Sequence, residues 1–259
     1  IFMIRRAQPA KEFFWVRCIK GGTDDLKRWI LSGFSNISMD SLIVYQRELS
    51  EALHIGLSRP PAKEPAKGAC LGDFASVRRG IATGANDFFF MTRAQARALG
   101  IPEDFLVPAI GRTRDVPGDV IDEKLLAELD KVGRPTLLFC LDDRPVDLFP
   151  PAVQRYLAEG ERRGLPKRPL LASRRPWYKM ERRKPPPILF AYLGRRHCRF
   201  VRNLAGVVPL TCFLCVYPHS DDPSFVEKLW VILNHPSVLE NLKIVGKSYG
   251  SDCIKVEPR

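Results

Sequence analysis

The sequence has no uninterrupted apolar run of the roughly 18 residues that a bilayer-spanning helix needs, so no membrane partner is expected. No secretory leader is expected either, since Arg5-Arg6 follow at once on Ile1-Phe2-Met3-Ile4. Neither G-x-x-x-x-G-K-[ST] nor G-x-G-x-x-G occurs, which removes the common phosphate-cradling loops. No H-x-E with a C-x-x-C supports a zinc deaminase, and no nuclease carboxylate–lysine set stands out. The seven cysteines are odd in number and scattered through apolar runs, as reduced core thiols of a cytoplasmic protein would be, and a cytoplasmic location is expected. Cys212 and Cys215 form a C-x-x-C without the second ligand pair that a zinc knuckle requires. No metal ligand and no catalytic residue is assigned, and no internal repeat is found.

What the chain does have is charge in one place. Its 259 residues carry a net charge of +12. The stretch from Arg155 to Arg202 holds fifteen Lys/Arg and three Asp/Glu, while the remainder holds twenty-six of each. All of the excess therefore lies in one segment, the footprint expected of a polyanion-binding surface rather than of general solubility. Arginines alternate there with Trp177, Tyr178, Tyr192 and His197. Guanidinium groups fork onto phosphate oxygens or guanine edges, and aromatic faces stack on exposed bases. The plain alternative is a solvated basic face with Trp177 as a core anchor.

The stretch most rich in local signals is Gly72-Asp-Phe-Ala-Ser-Val-Arg-Arg-Gly-Ile-Ala-Thr-Gly-Ala-Asn-Asp-Phe-Phe-Phe-Met-Thr92. Residues 74–79 alternate apolar and polar, as a half-buried strand does. Gly80 and Gly84 then bracket small residues ahead of Asn86-Asp87, and Phe88–Met91 reads as a second strand. The expectation is strand, glycine-rich loop, strand, with Arg78 and Arg79 at the loop mouth and no helix opening directly after it.

Arg79-Gly-Ile-Ala-Thr-Gly-Ala-Asn-Asp-Phe-Phe-Phe90 resembles the segment that opens the target-recognition domain of gamma-class adenine-specific N6 DNA methyltransferases, found in type II and fused (IIG) restriction–modification proteins. Arg175-Pro-Trp-Tyr178, Arg202-Asn203 and Gly246-Lys-Ser-Tyr-Gly250 resemble later segments of the same family, in the family's order. The likeness runs from about Leu71 to the last residue. The family's glycine-rich S-adenosylmethionine strand and its Asn/Asp-Pro-Pro-Tyr/Phe tetrapeptide are absent. The resemblance therefore implies a piece of a longer enzyme: no cofactor bound by this chain, S-adenosylmethionine for the parent, and no methyl transfer by the chain alone.

The expected fold is α+β, with mixed small sheets and flanking helices, preceded by a short remnant of a class I (Rossmann-like) methyltransferase domain. Residues 1–58 are assigned to that remnant, 59–69 (proline-rich from Arg59 to Gly68) to a linker, and 70–259 to the recognition domain. Expected elements include a hairpin of Ile1–Ile4 with Phe13–Ile19, a helix from Thr23 to about Gly33 and a second over Asp40–Leu53. Further on come helices capped by Thr92 and covering Asp122–Val132, Pro150–Gly160, Phe225–Leu233 and Val238–Ile244. Strands are expected near 136–141, 188–193, 200–202 and 210–217.

Candidate DNA-binding residues are Arg78, Arg79, Thr83, Asn86 and Asp87 in the loop, and Arg174, Arg175, Trp177, Tyr178, Lys179, Arg182, Arg183, Lys184, Arg195 and Arg196 in the basic segment. Lys247 and Tyr249 complete the set. Arg174, Arg175, Arg182, Arg183 and Lys184 are expected as phosphate clamps, the loop and Lys247–Tyr249 as readers of base edges. The expected partners are double-stranded DNA and the chain's own upstream catalytic domain, in a monomer. The competing class is a single-stranded DNA or RNA binder that uses the arginine and aromatic residues as a stacking platform.

Overall fold

The computed structural model describes residues 10–18, 22–34, 41–55, 57, 69–194, 198–245, 247–249 and 253–255. The chain divides into two compact units, Ile1–Gly68 and Ala69–Arg259.

In the first unit, β1 (Glu12–Cys18) is followed by α1 (Thr23–Leu31), β2 (Leu42–Glu48) and α2 (Leu49–Ile55). β1 and β2 pair antiparallel with Trp15 opposite Tyr45. The helix expected over 40–53 is thus a strand for its first half. Leu42-Ile-Val-Tyr45 is branched and aromatic, a composition that fits a pleated surface better than a helix, and β1 supplies the partner that makes the strand. Trp29, only 2% exposed, anchors α1 by meeting the Phe14 ring edge-on at 5.5 Å and the Phe34 ring at 5.0 Å. α1 begins at Thr23, as expected, with Gly22 in the cap position. Ile1–Ile4 and the 58–68 stretch lie outside the described residues. A two-stranded ribbon is what the described part of this unit holds, and a Rossmann-like sheet is not among those residues.

The second unit is a mixed α/β fold of small sheets with flanking helices, as expected. Its elements run β3 (Ala75–Arg79), α3 (Asn86–Phe89), β4 (Phe90–Met91), α4 (Arg93–Leu99), β5 (Leu106–Ile110), β6 (Val120–Ile121), α5 (Glu123–Lys131), β7 (Leu137–Phe139), α6 (Pro151–Arg162) and α7 (Pro169–Ala172). After the basic segment come β8 (Ile188–Ala191), β9 (Leu193–Gly194), β10 (Arg199–Asn203), β11 (Val208–Pro209), β12 (Leu214–Pro218), α8 (Pro223–Leu233), α9 (Pro236–Val245), β13 (Lys247–Tyr249) and β14 (Cys253–Lys255). Helix signals in the sequence are honoured locally. Thr92 and Gln95 form a reciprocal capping box on α4, which ends at Gly100, and the Asp122 carboxylate accepts from the Leu125 N–H at 2.8 Å to cap α5.

The sheets are ordered β3-β12-β8-β10-β6, β11-β5-β7-β4 and β13-β14-β9. One face of the five-stranded sheet (Ile188, Phe190, Phe200, Leu214, Val216) packs on Val226, Leu229 and Leu233 of α8. On its other side Leu189, Ala191, Val201 and Ile121 share a core with Ile110, Val116 and Leu129. The largest core gathers Phe88, Phe89, Phe139, Val153, Leu157 and Leu171 beside the four-stranded sheet.

The expected hairpin across the glycine-rich loop does not form. β3 pairs with β12, whereas β4 pairs with β7 in the other sheet. A strand would send Phe88 and Phe89 to opposite faces. Instead the Ala85 carbonyl accepts from both their N–H groups, at 3.0 and 2.9 Å, and this single helical turn buries both rings in one core. A helical turn therefore does open after the loop, contrary to the sequence reading.

Candidate nucleic-acid interface

β3 is the edge strand of the five-stranded sheet, with Arg78 opposite Cys215 and Arg79 opposite Leu214. Its alternation puts Ala75 in the core and leaves Ser76 and Arg78 exposed, as the sequence pattern predicts. Beyond Arg79 the chain enters the loop 80–85 under two backbone constraints. The Gly80 N–H donates to the Phe213 carbonyl at 3.1 Å, and the Ile81 N–H donates to that of Pro209 at 2.8 Å. Gly80 lies so close to the segment joining β11 and β12 that a Cβ would fall 2.1 Å from the Leu210 carbonyl oxygen. Gly84 has φ +79° and sits against Leu171, a conformation that costs an L-residue about 1–2 kcal/mol.

The loop closes on itself through a side chain. Thr83 is 2% exposed; its hydroxyl oxygen accepts from the Ala85 N–H at 3.1 Å, and its hydrogen goes to Asn86 Oδ1. Asn86 itself is exposed, as is Asp87.

The basic segment, distant in sequence, is fastened to this same loop. Arg174 donates to the Ala82 carbonyl, and partial burial pushes its guanidinium below its ordinary pKa. Arg183 donates to the Arg79 carbonyl and pairs with Glu181. The Tyr217 hydroxyl donates to the Lys184 carbonyl at 3.0 Å, strapping residues 181–184 across β12 toward the β3 edge. Burial pushes the Tyr217 phenol up to about 12. Asp87 receives two further arginines, Arg163 and Arg168, the second at 3.3 Å. Neither was singled out from the sequence; the only available signal was their place in the basic run.

Of the residues expected at a DNA surface, Arg79, Thr83, Asn86, Asp87, Arg174 and Arg183 are thus brought together, with Arg78 alongside on β3. Arg182 is exposed and reaches the Cys140 carbonyl only at 3.5 Å. Arg175 is exposed and bonds its own turn, through the carbonyls of Ala172 and Arg174. Lys179 pairs with Asp143 at 2.7 Å and Lys184 with Asp221 at 3.0 Å, so both meet carboxylates within the chain.

The aromatic residues are a correction. Tyr178 is 4% exposed, and its hydroxyl donates to the Arg144 carbonyl at 2.7 Å. Trp177 packs beside Phe88 and Phe89, at 5.9 and 6.2 Å between ring centroids. Tyr192 is packed against the α8 core and donates to the Thr211 carbonyl at 3.0 Å. These rings anchor the segment from inside, and none of the three offers a base-stacking platform. Lys247 and Tyr249 lie in β13, paired with β14, while Arg195, Arg196 and His197 fall outside the described residues.

Cys215 is buried and Cys212 half-buried, and burial raises both thiols above the usual value. Among the described residues no group of three His, Cys, Asp or Glu side chains is placed to hold a metal ion, and no helix is long and apolar enough to cross a membrane.

The family model of the C-terminal domain of type II methyltransferase M.Eco57I matches residues 62–259. The type II methyltransferase M.AccI of Acinetobacter calcoaceticus is 30% identical over 187 residues, which are 71% of this chain and 34% of that protein. M.XamI of Xanthomonas campestris pv. amaranthicola, another type II methyltransferase, is 24% identical over 207 residues, 78% of this chain and 36% of its own length. This chain spans about a third of these relatives. Among solved structures, the type IIG restriction endonuclease BpuSI aligns with 86% of this chain and 29% of its own, at 16% identity and a TM-score of 0.37.

Proposed function

Because the chain belongs to the M.Eco57I C-terminal domain family of type II methyltransferases, we propose that it is the DNA target-recognition part of a site-specific adenine-N6 methyltransferase. In this reading it grips duplex DNA and presents the target adenine to a catalytic domain elsewhere in the parent, which binds S-adenosylmethionine. Residues 1–58 would contribute to that catalytic part, 59–69 would link, and 70–259 would recognise DNA.

One observation carries the reading. Four arginines of the basic segment converge on residues 79–87, three of them more than 80 residues away in sequence; Arg174 and Arg183 bond the backbone carbonyls of Ala82 and Arg79, while Arg78 and the Asn86 amide stay exposed. A preorganised donor surface of this kind suits phosphate and base-edge contacts, because little ordering entropy is lost on binding. The single-stranded alternative needs exposed rings, and Trp177, Tyr178 and Tyr192 are packed inward.

The test is fluorescence anisotropy with randomised duplex and matching single strands as competitors, titrated over salt. Duplex should compete at least tenfold better than single strand. Equal or better competition by the single strand would overturn the reading.

A further inference from the structure

The hydrogen bonds inside the loop fix which edge of Asn86 faces outward. Thr83 is 2% exposed and its oxygen already accepts from the Ala85 N–H. Its own hydrogen needs an acceptor, and Asn86 Oδ1 is the one it meets. With the amide turned the other way, the hydroxyl would face two N–H donors and its buried hydrogen would have no acceptor among the described residues. The orientation is therefore set by chemistry: oxygen inward to Thr83, NH₂ outward. No other group of the described chain bonds Asn86 Nδ2.

We infer that Asn86 is a specificity-determining residue that reads DNA through its outward Nδ2 donor, and that Thr83 is the residue positioning it. This rests on the DNA-recognition reading above. An asparagine that recognises adenine through two bonds must present its oxygen and its nitrogen to the same base. Here one lone pair of the oxygen is taken by the buried Thr83 hydroxyl, while Nδ2 has no partner among the described residues. The outward bond is one from Nδ2 to an acceptor in the major groove: a purine N7, guanine O6 or thymine O4. One position of the recognised sequence is then chosen by its acceptor.

The experiment selects preferred duplexes from a randomised pool with the full chain. It then measures affinities for single-position analogues: 7-deazapurines, which lack N7, 2-aminopurine for guanine O6, and 4-thiothymine for O4. At one position an analogue should weaken wild-type binding about threefold to tenfold, the worth of one hydrogen bond. The same analogue should cost Asn86→Ala and Asn86→Asp nothing, since neither offers an outward N–H. Thr83→Val should lose the same discrimination and Thr83→Ser should keep it. Circular dichroism melting reports whether each variant is folded. If Asn86→Ala keeps the wild-type profile at every position, or Thr83→Val keeps it while folded, the inference is overturned. Should the wild-type chain bind duplexes with no sequence choice at all, the recognition reading itself falls, and this inference with it.

Discussion

Tyr156 lies flat on Phe88, ring centroids 4.2 Å apart and planes 4° apart, and its hydroxyl donates to the carbonyl of the same Phe88 at 2.8 Å. One side chain thus clamps α6 to the helical turn that ends the glycine-rich loop. Burial pushes this phenol up to about 12.

Tyr156→Phe keeps the stack and removes the hydrogen bond, so it should cost about 1 kcal/mol, read as a lower urea midpoint. The sign of the pH dependence follows from the raised value. The folded state holds the phenol proton to higher pH than the unfolded chain, whose tyrosines titrate near 10. The contribution is therefore complete below about pH 10 and is lost as pH climbs toward 12. Absorbance at 295 nm should show late-titrating tyrosinate, and Tyr156→Phe should remove part of it. Tyr217, also raised to about 12, should account for another part.

Gly80→Ala should damage the protein more than Gly84→Ala. A Cβ on Gly80 meets the Leu210 backbone at 2.1 Å, which only movement of the main chain can relieve. At Gly84 the cost is the positive φ, about 1–2 kcal/mol, plus a 3.0 Å approach to the Leu171 side chain, which can turn aside. Gly118, with nothing within 4 Å, is the control and its alanine variant should melt like wild type. Thermal melts of the three variants check the order.

The arginines should separate into two groups by what they touch. Arg78 and Arg182 are exposed and hold no carboxylate, so alanine at either should lower the slope of log K against log salt by about 0.9 with an unchanged melt. Arg183→Ala should lower the melting temperature, because it removes the bond to the Arg79 carbonyl and the pair with Glu181. Anisotropy over salt, beside a thermal scan of each variant, distinguishes the groups. An Arg183 variant with wild-type stability and a flattened slope would place that residue among the phosphate contacts instead.

Asp87→Asn should strengthen nonspecific duplex binding. Its pairs with Arg163 and Arg168 are solvent-exposed, with Asp87 at 55%. Such pairs contribute about 0–1 kcal/mol, so the melt should barely move while two guanidinium groups become available to phosphate. A steeper salt slope and tighter binding to scrambled duplex are the expected outcome. Weaker binding would show that Asp87 instead holds the arginines in place for DNA.

The sequence by itself determined what depends on near neighbours. The capping box of Thr92 with Gln95, the Asp122 cap, the alternation of β3 and the helix begun at Pro151 are all settled within a few residues, where propensity and hydrogen bonding act. The concentration of positive charge and the family-like segments were equally legible, since neither needs a contact to be known. Only the tertiary structure decided which partners those elements take. Phe88 and Phe89 read as a strand until the core claimed both rings at once. Leu42–Glu48 read as a helix until β1 lay beside it. Trp177 and Tyr178 carry the residue types of a base-stacking platform, yet the large apolar rings bury more surface inside than they could cover outside. Arg183 and Arg79 stand 104 residues apart, and no local pattern tells a guanidinium that will bond a backbone carbonyl from one left for phosphate. That choice is made by chain crossings, which bring the carbonyl of one segment within reach of a guanidinium far away in sequence.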